Sequence, residues 1–180
     1  MKNILYIVAP FVILINPELV LGQPDTLWTR TFGGDDRDRS YSARQTTDGG
    51  YIIIGDNRSF DNDQDDLWLI KTDSNGNEVW YEIFGGSGED RGYSVQQCAD
   101  GGYILGGFTG SFGNGSLDIW MIKTDSNGNE IWSQTFGGSG HDRGHSVQQC
   151  ADGGYILGGF TGSFGNGSLD IWMIKTDSNG

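Results

Sequence analysis

The chain has 180 residues, 31 of them glycine, and its 11 Lys and Arg against 24 Asp and Glu leave a net charge of −13. Its 36% of apolar residues and six Trp suffice for a packed core, and no Gly-X-Y period exists, so disorder and collagen are excluded. An acidic surface without a Lys/Arg cluster repels phosphate, so no nucleic-acid partner is expected.

The N-terminus carries Lys2, an apolar run from Ile4 to Ile15, the polar break Asn16-Pro17-Glu18, and then Leu19-Val20-Leu21-Gly22-Gln23. This is the three-part layout of a secretory signal peptide. The apolar run is shorter than the roughly 20 residues that cross a hydrocarbon layer, so no membrane span is expected. Cleavage is expected after Gly22, with Val20 and Gly22 at the small-residue positions. Residues 1–22 then form a leader, and residues 23–180 a soluble chain that is secreted or held at the cell surface.

From there a period of 52 residues governs the chain. It is marked by Trp28, Trp80 and Trp132 and by Asp48-Gly-Gly-Tyr51, Asp100-Gly-Gly-Tyr103 and Asp152-Gly-Gly-Tyr155. The repeats are 28–79, 80–131 and 132–180. Residues 80–128 and 132–180 differ only at Tyr81/Ser133, Glu82/Gln134, Ile83/Thr135, Glu89/His141 and Tyr93/His145, which reads as recent duplication.

In the second repeat four runs predict strands: Tyr93 to Cys98, Tyr103 to Thr109, Asp118 to Thr124 and Glu130 to Phe136. Ala99-Asp-Gly-Gly102 and Asp125-Ser-Asn-Gly128 supply the residues that tight hairpins require, so successive strands should be antiparallel. No segment has a helical period. The two middle runs are continuously apolar and need protein on both faces, whereas the flanking runs alternate, as edge strands do. Cys98 and Cys150 stand at equivalent repeat positions, too far apart for a disulfide, and read as small strand residues.

A meander of four strands, covered on both faces and repeated in tandem, predicts an all-β, propeller-like fold of three four-stranded blades. The residues Tyr103-Ile-Leu-Gly-Gly-Phe-Thr-Gly-Ser111 resemble the double-glycine strand of kelch repeats. Asp125-Ser-Asn-Gly-Asn-Glu-Ile-Trp132 is similar to the turn-and-Trp ending of kelch and quinoprotein (PQQ-like) repeats. The unit from 27 to 180 most closely resembles tandem repeats of secreted bacterial propeller-like proteins. That resemblance implies a fold rather than an activity, and the first repeat departs from it with Ile54-Gly55-Asp56 in place of the double glycine.

Propellers usually have four to eight blades, and residues 177–180 lie in the turn before a further strand, so the chain reads as part of a larger propeller. In a second arrangement Leu27 to Phe32 supplies the outer strand of the last blade. Three blades alone leave two apolar faces open, and a homodimer closing a six-bladed ring would hide both.

Candidate chemistry is sparse. Asp38, Asp90 and Asp142, each followed by Arg, recur in the loop between blades and could line a shared ligand pocket. The other reading has each capping local amides and pairing with its Arg. Asp61, Asp63 and Asp65 present oxygen ligands at alternating positions, which suits Ca²⁺, although the run lacks the EF-hand Gly and Glu and also reads as a solvated hairpin loop. His141 and His145 lie four apart in a loop, where such spacing does not build a metal site. No Ser sits in a nucleophile elbow.

The residues Asp48-Gly-Gly-Tyr-Ile-Ile-Ile54 resemble a segment of bulb-type lectins, but the mannose motif of that family is absent. The expected function is therefore that of a non-catalytic, secreted binding or scaffold propeller with a protein or glycan ligand. The alternatives are a propeller enzyme, either a glycoside hydrolase or a quinoprotein-like oxidoreductase, and a lectin-like carbohydrate-binding protein.

Overall fold

The computed structural model describes residues 25–59 and 64–180; the expected leader, residues 1–22, and Asp61 and Asp63 lie outside them. β-strands are the only regular elements among the described residues. The first sheet holds β1 (Asp38–Gln45), β2 (Tyr51–Asn57), β3 (Asp66–Thr72) and β4 (Glu78–Phe84). The second holds β5 (Asp90–Gln97), β6 (Tyr103–Thr109), β7 (Asp118–Thr124) and β8 (Glu130–Phe136). The third holds β9 (Asp142–Gln149), β10 (Tyr155–Thr161) and β11 (Asp170–Thr176). Every pairing within the sheets is an antiparallel neighbour pairing in chain order.

Two differences from expectation concern strand limits. The first strand of each repeat begins at Asp38, Asp90 or Asp142, so these residues and His145 belong to strands rather than to the preceding loop. The third sheet has three strands, because Leu27 to Phe32 forms no strand and rests against the first sheet. There the ring of Trp28 meets that of Tyr51 edge-on at 5.6 Å. Trp80 and Tyr103 make the same contact at 5.9 Å, and Trp132 and Tyr155 at 5.6 Å.

The hairpins follow from local chemistry. Gly101 sits at φ +85°, where a Cβ is strained, and its N–H donates to Cys98 O while the Gly102 N–H donates to the Asp100 carboxylate. Lys123, buried next to the apolar run Ile119 to Ile122, ion-pairs with that same Asp100 at 2.8 Å and donates to Thr124 O. Lys71 does likewise with Asp48 and Thr72.

The sheets stack face to face, with β5 against β1, β2 and β3, and β9 against β5, β6 and β7. Alternation along the strands divides the middle sheet between two cores. Tyr103, Leu105, Trp120 and Ile122 pack with Ile52, Ile54, Leu67 and Leu69 of the first sheet. Ile104, Ile119 and Met121 pack with Val147, Tyr155 and Leu157 of the third. This is why Tyr103-Ile-Leu105 and Ile119-Trp-Met-Ile122 are continuously apolar. Close approach favours a glycine at the second contact, where a Cβ on Gly106 would lie 3.0 Å from Val147 Cβ. Cys98 and Cys150 are both free thiols, and burial pushes Cys98 up to about 11.

Candidate functional site

The first strands of the three sheets, β1, β5 and β9, lie side by side and carry the residues of interest. Each opens with its aspartate. Asp90 Oδ2 accepts from the Gly86 N–H at 3.0 Å and from Ser111 Oγ at 2.6 Å. Asp142 Oδ2 accepts from Gly138 at 3.1 Å and Ser163 at 2.6 Å. Asp38 repeats the pattern with Gly34 and Ser59, at 3.0 and 2.7 Å. Burial works to raise the pKa of Asp38 and Asp142, but these donors outweigh it and hold both below the ordinary carboxylate value.

The three aspartates are thus each tied to the loop of their own repeat, and Asp90 and Asp142 are fully buried. The neighbouring arginines do not pair with them. Arg91 reaches Asp65, Asp56 and Glu89, whereas Arg143 lies over the Phe108 ring at 4.6 Å.

Asp65, the described member of the acidic run, is almost fully buried between the first two sheets. Arg37 at 2.6 Å, Arg58 at 3.1 Å and Arg91 all ion-pair with its carboxylate. Burial would raise its pKa, yet Arg91 and Arg37 together hold it low. A carboxylate surrounded by three guanidinium groups faces cations already, and no group of three or more ligating side chains stands around it or elsewhere among the described residues.

A feature not read from the sequence runs beside these groups. The pairing of each first strand skips one residue, between Ser40 and Ser42, between Gly92 and Ser94, and opposite Gly158 and Gly159 in the third sheet. The skipped residues are Tyr41, Tyr93 and His145. A bulge re-aims its side chain, and here it brings the three rings into one row. Tyr41 meets Tyr93 at 4.8 Å edge-on, and Tyr93 stacks on His145 at 5.1 Å. Burial, and then the charge of Arg143, lower the pKa of His145, so the ring is neutral at neutral pH.

Beyond the bulges the same strands turn polar. A groove of about 660 Å³ is lined by Arg44, Ser94, Gln96, Ser146 and Gln148, among others. Edge strands carry unpaired N–H groups, and neighbouring side chains satisfy them here. The Val147 N–H donates to Ser94 Oγ at 3.2 Å, and the Gln149 N–H to Gln96 Oε1 at 2.8 Å. Thr47 and Ala99 donate likewise to Gln97 and Gln149, both at 2.9 Å. The surface thus combines aromatic edges with amide and hydroxyl groups and the cationic Arg44, a set suited to stacking and hydrogen bonding.

The signal for this row was present in the Tyr93/His145 exchange and in Gly92-Tyr-Ser94. Only the register makes it visible, because a bulge leaves no periodic trace. Compared with known proteins, the chain matches no family model and no curated sequence.

Proposed function

We propose that the chain is a non-catalytic binding scaffold of the β-propeller type, exported by its leader, with kelch-like or PQQ-like blades for its three sheets. Its ligand lies across the inner strands. Face-to-face stacking of antiparallel meanders, with their first strands gathered at one side, supports the propeller reading.

The observation that carries the binding reading is the row Tyr41, Tyr93 and His145, continued along the strands by Ser94, Gln96, Ser146 and Gln148. Aromatic rings beside amide and hydroxyl groups fit a neutral glycan, which offers apolar ring faces and many hydroxyls. The fit to a polyanion is poor at a net charge of −13.

Titration calorimetry of the purified chain against a panel of neutral oligosaccharides tests this. Tyr93→Ala and Gln96→Ala should each weaken binding about tenfold, the scale of one lost stacking or hydrogen-bonding contact. A chain that binds none of the panel, or whose binding both substitutions leave unchanged, removes the glycan reading.

A further inference from the structure

The outer face of the third sheet is built to be covered. Leu117 to Thr124 and Leu169 to Thr176 have the same sequence, Leu-Asp-Ile-Trp-Met-Ile-Lys-Thr. In the second sheet Ile119 and Met121 are fully buried beneath the third, whereas Ile171 and Met173 are 94% and 72% exposed. The free edge of β11 is likewise the edge that β4 and β8 cover on β3 and β7.

A segment that can pair with this edge stands at the other end of the described residues. Thr26 to Phe32 is the repeat counterpart of β4 and β8, and it already occupies an outer strand's position. A Cβ on Gly76 would come within 2.7 Å of Trp28, as one on Gly128 would within 2.8 Å of Trp80, and one on Gly180 within 2.8 Å of Trp132. This segment therefore sits on the first sheet as the outer strand of a preceding sheet sits on the next, and among the described residues it pairs with no sheet. Around it the face bearing Tyr51 and Ile53 opens into a cavity of about 380 Å³.

We infer that two copies of this chain associate head to tail, with β11 of each pairing with Thr26 to Phe32 of the other and the outer face of each third sheet covering the first sheet of the other. The occupant is argued by continuity with the two contacts already inside the chain. The open face of the third sheet repeats the face that the third sheet itself covers, and the open face of the first sheet repeats the one that the first sheet covers. Such a contact is heterologous and closes only if its rotation does, and two copies give six sheets, within the range of closed propellers. The register of β7 with β8 carries over directly, placing Phe32 opposite Ile171, Thr31 opposite Trp172, Arg30 opposite Met173 and Trp28 opposite Lys175.

Light scattering of the purified chain across concentration should give twice the chain mass. Ile171→Lys with Met173→Glu should halve it while leaving the circular dichroism of the fold unchanged. Arg30→Cys combined with Met173→Cys should form an inter-chain disulfide under mild oxidation, since directly opposed strand residues lie about 4.5 to 5.5 Å apart at Cα, within disulfide reach. Neither single variant should do so. A monomer at 100 µM-scale concentration, a dimer that survives the charged pair, a mass that climbs without limit, or the absence of the specific disulfide each overturns the proposal. Glycan binding is measured separately, so failure of the dimer and failure of the glycan reading are distinguishable.

Discussion

The contact between the first and second sheets and the contact between the second and third occupy equivalent places in the repeat, yet they differ in chemistry. At the first, the Arg91 guanidinium lies among Asp65, Glu89 and Asp56, the last at 3.8 Å, while Arg37 and Arg58 hold Asp65 from other sides. At the second, the positions of Asp56 and Asp65 are taken by Phe108 and Leu117, and Arg143 lies over the Phe108 ring. One backbone arrangement is thus compatible with a buried ionic network and with an apolar wall whose Phe108 ring carries Arg143 at 4.6 Å and, from its own sheet, Arg91 at 6.0 Å. The apolar faces of the middle strands set the stacking, and the ionic network is one of two ways to fill the rim above them.

Removing one arginine at each contact breaks the comparison open most strongly. Arg91→Ala leaves Asp56 and Asp65, both nearly inaccessible to water, with less cationic compensation, and should cost about 3–5 kcal/mol in urea unfolding. Arg143→Ala removes one ring contact and should cost about 1 kcal/mol. Equal losses would mean that the two rims are energetically alike. Packing beneath the rim gives the next effect. A Cβ on Gly92 would strike Ile54 and come within 2.9 Å of Leu67, so Gly92→Ala should cost about 1–3 kcal/mol, with part recovered by adding Ile54→Val.

Converting one contact into the other sharpens the point. Asp56→Phe with Asp65→Leu copies the second rim into the first, and should leave stability unchanged or raise it by up to about 2 kcal/mol, since Arg37 and Arg58 are about a third exposed and can turn to water. A large loss of stability would show that the network, rather than the apolar faces, sets the stacking.

The strands were legible because their signals are local. Tyr103 to Thr109, Asp118 to Thr124 and Glu130 to Phe136 match the observed β6, β7 and β8, and continuous apolar runs correctly required cover on both faces. The start of β5 at Asp90 was not legible, because Arg91-Gly92 carries no strand preference and the bulge at Tyr93 interrupts the alternation. Leu27 to Phe32 has a strand pattern but remains irregular, since backbone pairing needs a neighbour that composition does not reveal. The site was least legible of all. The aspartates were visible as a recurring feature, but that they hold Gly86, Ser111 and their counterparts, that Arg91 meets Asp65 from 26 residues away, and that three rings align are all properties of register.

The smallest expected effect concerns the pair of carboxylates at the second contact. Asp118 and Asp142 both crowd Gly137, where a Cβ would strike Asp118 and come within 2.8 Å of Asp142 Oδ2. Burial first, and then the charge of Asp142, raise the pKa of Asp118 against the bond from the Asn114 N–H. A carboxyl whose folded pKa exceeds its ordinary 3.8 favours the folded state only when protonated, so its cost is present at neutral pH and fades as pH falls through the raised value. Asp118→Asn keeps an oxygen for Asn114, turns an amide donor toward Asp142 and removes the repulsion, which should add about 1 kcal/mol at pH 7. The gain should shrink toward zero near pH 3.5, because the native Asp118 is then protonated, while the opposite titration of Asp142 is common to both chains to a first approximation. Thermal unfolding of the two chains at both pH values checks this, and an equal gain at each would mean that the substitution acts through shape rather than charge.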